Sequence, residues 1–222
     1  MRVFPFHSAR GCLSYLVTDT EGTAAALVDP SAEIPLETYL AEVEKHAGML
    51  AYLVETHTHA DHVSSTPELA ARTGAKIVRH ALAPSPHKDI AAVGGEALPL
   101  GAETLRILSA SGHTDESIVL LADGAVFTGD ALLIGGTGRT DFQRGSSDAL
   151  YRTLHETLSQ LADETLVYPA HDYKGRTAST IGAERRTNPR FALNRNAFIA
   201  TMDAHHPPEP ELFEKSIAAN SQ

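Results

Sequence analysis

Tryptophan is absent, and cysteine occurs once, at Cys12. A lone thiol excludes an internal disulfide framework and suits a reducing compartment. Cys12 opens an apolar, strand-like run, which reads it as core filler, because burial keeps a thiol inert. Basic residues are scarce too: 18 Lys and Arg stand against 28 Asp and Glu, a formal charge of -10. That balance argues against nucleic acid or an anionic membrane as partner and favours solubility. No apolar run is long enough to span a bilayer, and Met1-Arg2-Val3-Phe4-Pro5-Phe6 lacks the apolar core of a signal peptide, so a cytoplasmic protein is expected. Internal repeats and linker-like stretches are also missing. The 222 residues, 42% hydrophobic, therefore read as a single domain over 1–222 with a sizeable core.

Histidine, by contrast, is concentrated. Thr56-His57-Thr58-His59-Ala60-Asp61-His62 follows directly on the apolar run Met49 to Val54. A helix would spread these side chains around a cylinder and a strand would split them between two faces, so a loop leaving a buried strand is the expected carrier. Imidazole nitrogens with a carboxylate oxygen suit zinc or iron and not an all-oxygen calcium site.

Around this cluster the chain alternates. Leu13 to Val17 and Ala24 to Val28 read as strands joined as a hairpin through Asp19-Thr20-Glu21-Gly22. Ile34 to His46 carries Leu36, Tyr39, Leu40 and Val43 on one helical face, and Thr66 with Pro67 begins a second helix to Arg72. Strands are expected at Ala75 to Val78, Thr104 to Leu108, Ile118 to Leu121, Ala125 to Phe127 and Thr165 to Tyr168. Helices are expected at Asp148 to Leu161, Ser179 to Arg186 and Asn194 to Met202. Ala81 to Gly101 reads as a weakly structured loop in which His80 and His87 are surface residues. The tail His205 to Gln222 is expected to pack loosely or against a neighbouring copy, which leaves a homodimer open.

Further donors each lie just beyond an apolar run: His113 in Ser111-Gly112-His113-Thr114, Asp130 in Thr128-Gly129-Asp130, and His171 in Pro169-Ala170-His171-Asp172. Strand ends of one sheet lie close together, and Gly112 and Gly129 permit the sharp turns that convergence on His57 requires.

Taken together, His57-Thr58-His59-Ala60-Asp61-His62, Gly112-His113, Gly129-Asp130 and His171 resemble the metallo-β-lactamase superfamily, which implies an α/β fold, a four-layer αββα sandwich with its metal site at one edge of the two sheets. Phe127 to Ile134, Gly138-Arg139-Thr140-Asp141-Phe142-Gln143, Tyr168 to Tyr173 and Glu184 to Pro189 look like the persulfide dioxygenase family within it. The resemblance implies oxidation of glutathione persulfide by O2 to sulfite and glutathione with one Fe(II) per chain. It places the iron ligands on His57, His113 and Asp130, a facial triad with open positions. His59, Asp61, His62 and His171 then orient those ligands. The same seven side chains would equally serve two Zn(II) ions bridged by Asp130, the alternative expected of a hydroxyacylglutathione hydrolase-like thioesterase. That family usually adds a helical substrate domain, for which little chain follows Asn188-Pro189. A non-catalytic sulfur-sensing protein is a third reading. Arg139, Tyr173 and Lys174 flank the motifs and are the expected contacts for glutathione carboxylates. Asp115-Glu116-Ser117 and Val63-Ser64-Ser65 depart from the family pattern beside the pocket.

Overall fold

Short β-rich segments and amphipathic ones sort into two six-stranded sheets packed face to face, with helices on both outer faces. The computed structural model describes all 222 residues. The first sheet has the spatial order β1 (Arg2–His7), β2 (Leu13–Thr18), β3 (Ala25–Val28), β4 (Leu50–Val54), β5 (Lys76–His80), β6 (Ile90–Ala92). Its pairing changes from antiparallel to parallel at β3, where helix α1 (Leu36–His46) forms the crossover to β4. Helix α2 (Thr66–Thr73) carries proline in its first turn and ends at Gly74 in the left-handed conformation.

The second sheet runs in sequence order from β7 (Ala97–Leu100) through β8 (Glu103–Ser109), β9 (Ile118–Ala122), β10 (Ala125–Gly129) and β11 (Leu166–Pro169) to β12 (Ser179–Thr180). Only β10 and β11 pair in parallel, joined by an excursion through α3 (Ser147–Arg152). Helices α4 (Ile181–Thr187), α5 (Arg195–Asp203) and α6 (Phe213–Asn220) follow.

Alternation along the strands divides the apolar residues among three layers. Tyr15, Val17, Leu105, Ile107 and Phe127 meet between the sheets. Leu16, Leu27 and Leu53 face outward onto Tyr39 and Leu69 of α1 and α2. Val119, Val126 and Val167 face Leu150, Ile181 and Phe198 on the far side. This is the expected αββα sandwich.

Several local expectations are corrected. Arg2–His7 forms an edge strand, and the stretch read as a loop from Ala81 to Gly101 contains β6 and β7. His80 is buried at the end of β5, its Nδ1 accepting from Leu82 N at 3.1 Å, whereas His87 is exposed as expected. The single helix expected over Asp148 to Leu161 is α3 followed by a π-helical turn at Thr153–Thr157 and a 3-10 turn at Leu158–Gln160. The tail packs against its own chain as α6 instead of trailing loosely, with Ser216 and Asn220 buried. No helix is long and apolar enough to cross a membrane.

Candidate metal centre

The donors converge because several strands end at the same edge. Asp29, just past β3, takes a left-handed backbone (φ 49°) and accepts from Thr56 N at 2.7 Å and from Thr56 Oγ1 at 2.8 Å, which fixes where the loop after β4 departs. The second sheet approaches at Gly129 (φ 53°), where a Cβ would stand 2.5 Å from Thr56 Oγ1. Only glycine fits both that backbone and that contact. An irregular register between Phe127 and Gly129 in the parallel β10–β11 pair sets Asp130 beside His171.

His57, His113 and Asp130 form one group whose ligand atoms all lie within 4.8 Å of one another. His113 Nδ1 donates to Arg139 O at 2.7 Å, which leaves Nε2 as the lone-pair atom, 3.6 Å from Asp130 Oδ2. The Thr56 hydroxyl donates to Asp29, so at 3.0 Å it accepts from His57 Nδ1 and leaves Nε2 of His57 free as well. Burial, reinforced by His59 and His113, holds the His57 pKa well below its ordinary value, so the ring is kept neutral and its Nε2 lone pair could serve a metal. Burial raises the Asp130 pKa, but the charge of His171 and its 2.6 Å hydrogen bond outweigh burial and keep the carboxyl below its usual range. Two fixed imidazole lone pairs and an ionised carboxylate fit a divalent metal.

His59 does not join this group. Its Nε2 lies 3.1 Å from Asp29 Oδ1 and 3.4 Å from Glu55 Oε2, in ion-pair range though not aligned for a hydrogen bond. Burial, then the neighbouring His62, lowers its pKa to about 3. His171 lies between two carboxylates, with Nδ1 2.6 Å from Asp130 Oδ1 and Nε2 2.7 Å from Asp61 Oδ2. Burial lowers its pKa, but both carboxylates outweigh burial and hold it well above the ordinary value. Asp61, His62 and His171 gather with Cys12 in a separate group. Cys12 is therefore not simple core filler: its Sγ is 3.3 Å from Asp61 Oδ2, and His171 and His62 lower the thiol pKa against the raising effect of burial.

Side chains to which the sequence assigns no role at the site support the loop. Glu116 Oε1 accepts from Thr58 N at 2.7 Å, Gln143 Nε2 donates to Thr58 O at 2.6 Å, and Ser64 and Thr66 hydroxyls bond Glu55 Oε1. Asn220 donates to the carbonyls of His59 and His62. Two of these residues lie where the sequence departs from the family pattern, Glu116 and Ser64, and that departure was the only signal pointing to them.

A cleft of about 360 Å³ opens over the first donor group, walled by Leu133, Arg139, Phe142, Tyr173, His205 and Pro208 among others. Arg139 grips Asp141 through Nε (2.6 Å) and Nη2 (2.7 Å), donates from Nη1 to Pro208 O at 2.9 Å, and lies over the Phe142 ring at 3.7 Å. Tyr173, 76% exposed, stands at the mouth with its ring parallel to His171. Lys174 is not brought into the cleft; it is exposed, and its backbone N–H bonds Asp172 Oδ2.

Residues 7–171 match the family model of the metallo-beta-lactamase superfamily. The mitochondrial persulfide dioxygenase ETHE1 of Mus musculus is 38% identical over 93% of this chain and 82% of its own length. The hydroxyacylglutathione hydrolase of Methylococcus capsulatus (strain Bath) is 35% identical over 93% of this chain and 80% of its own. The crystal structure of ETHE1 from Myxococcus xanthus superposes with a TM-score of 0.95 at 37% identity, covering 100% of this chain and 98% of that one. With the sandwich, the clustered donors and these likenesses, the chain belongs to the metallo-β-lactamase superfamily and, within it, to the persulfide dioxygenases.

Proposed function

We propose that the chain oxidises glutathione persulfide with O2 and water to glutathione and sulfite, releasing two protons, on one Fe(II) held by His57, His113 and Asp130. The observation that carries this reading is the diversion of the remaining donors. His59 is turned to Asp29 and Glu55, and both nitrogens of His171 are committed to carboxylates, so among the donors lining the cleft His57, His113 and Asp130 form the one group of two imidazoles and a carboxylate. Such a triad leaves coordination positions open for substrate and O2, and Fe(II) bound there would supply the electron transfer that O2 chemistry requires.

The chain's own residues set the rest. The Arg139 carbonyl fixes the His113 tautomer, and the ion pair of His171 with Asp130 keeps that carboxylate ionised and oriented. The cleft offers the glutathione moiety the Tyr173 ring and the uncommitted N–H groups of Arg139, while Lys174 adds positive charge outside its lining.

The grouping of Cys12, Asp61, His62 and His171 supports a second reading, a dinuclear zinc thioesterase. Anaerobically purified protein separates the two. One equivalent of iron with oxygen uptake and sulfite release from glutathione persulfide is expected. Two zinc ions with hydrolysis of a glutathione thioester and no oxygen uptake would overturn the oxidative reading.

A further inference from the structure

The carbonyls of His59 and His62 lie in the buried turn of the metal loop and bond the same side chain. Asn220, in the last turn of α6, donates one amide hydrogen to His59 O at 2.8 Å and the other to His62 O at 2.8 Å. Its Oδ1 accepts from Ser64 N at 2.9 Å. Two carbonyls need donors and one N–H needs an acceptor, so the orientation of the amide is fixed. A single buried amide thus spends its bonding capacity across residues 59–64. The end of α6 is itself held, since Ser85 Oγ donates to Gln222 O at 2.6 Å.

Asn220 does not line the cleft. It borders a small polar hollow behind the loop with Glu55, His57, Thr58, Arg79 and Glu116. It touches neither the substrate space nor a donor atom, so its influence runs through the backbone. Glu116 and Gln143 hold the same loop at Thr58, on the side of His57. Asn220 holds the following turn, from the His59 carbonyl to the Ser64 N–H, so that the loop is tied on both sides of His59.

We propose that Asn220 is a positioning residue for the metal centre, pinning the turn from His59 to Ser64 so that His57 is held ready for the metal. This rests on the assignment of His57, His113 and Asp130 as the metal ligands. Replacing the amide by a carboxylate keeps its shape and the Ser64 bond but sets negative charge against two carbonyls.

The test compares wild-type full-length protein with Asn220→Asp in two measurements. One is backbone hydrogen exchange across residues 59–64. The other is the rate at which a chelator strips cobalt(II) from the cobalt-loaded protein, followed by its visible absorption. Asn220→Asp should speed both by about tenfold, the loss expected of a buried hydrogen-bond set, while exchange in the strands stays unchanged. Should that variant fail to purify, Ser85→Ala, which frees the end of α6 and leaves the loop sequence intact, must move both measurements in the same direction by at least about twofold. Wild-type behaviour in either measurement overturns the role of Asn220 alone. A wild-type chain that takes up no cobalt overturns the ligand assignment and this inference with it.

Discussion

His59 and Asp29 face each other across 3.1 Å at the root of the metal loop, imidazole Nε2 toward carboxylate Oδ1. The same carboxylate accepts the N–H and hydroxyl of Thr56. One aspartate therefore anchors the start of the loop and draws its second histidine away from the first. Asp29→Asn should weaken both attachments, lowering stability by about 1–3 kcal/mol, and should raise the zinc-to-iron ratio of purified protein as His59 is released. Denaturant unfolding and elemental analysis together check this; an unchanged metal ratio would contradict the second half.

Removal of a donor and removal of its support should look different. His57→Ala and His113→Ala are expected to abolish both iron retention and oxygen uptake. His171→Ala, which takes away only the partner of Asp130 and Asp61, should retain iron with affinity and activity reduced by roughly 10–100-fold. Iron content measured beside oxygen consumption distinguishes the cases.

The metal-free protein should be most stable near pH 6.5. His57 and His59 have depressed pKa values, so the unfolded chain binds more protons than the native one below 6.5, and stability is lost as pH falls from there toward about 3. His62, raised to about 10, and His171, raised well above its ordinary value, act with the opposite sign: the stability they contribute is full below 6.5 and is lost as pH rises toward about 10. Thermal midpoints of chelator-treated protein across pH should trace a maximum with decline on both sides. A midpoint rising steadily from pH 6.5 to pH 9 would refute it.

Gly138 lies where a Cβ would stand 2.7 Å from His113 Nδ1 and 2.6 Å from Asp130 O. Gly138→Ala should push on a proposed metal ligand directly, costing about 1–3 kcal/mol of stability and weakening iron retention, without changing far-ultraviolet circular dichroism. Retention equal to wild type would show that the Arg139 segment can shift freely.

The convergence of His57, His113, Asp130 and His171 could be read from the chain because each follows an apolar run, and Gly112 and Gly129 mark the turns; the sandwich followed from the likeness of these motifs to the superfamily, and Cys12, read as core filler, gave no sign of joining Asp61 and the histidines. The strands that escaped such reading are all sheet edges: β1, β6, β7 and β12. Edge strands can be short and tolerate proline, as Pro5 in β1 and Pro99 in β7 show, so their hydrophobic signal is weak. Asn220 was hidden for another reason: its partners are backbone groups 156 to 161 residues away, and local pattern carries no trace of such pairing. The turning of His59 toward Asp29 was likewise invisible, since spacing places both histidines on the loop without saying which way either ring points.

The parallel join of β10 and β11 brings Asp130 and His171 together across a 41-residue separation, and the stretch between them supplies Leu133, Arg139 and Phe142 to the cleft wall. The same stretch also holds the donors, since the Arg139 carbonyl accepts from His113 and Gln143 donates to the Thr58 carbonyl, so a change that reshapes the wall is transmitted to the side chains beneath it.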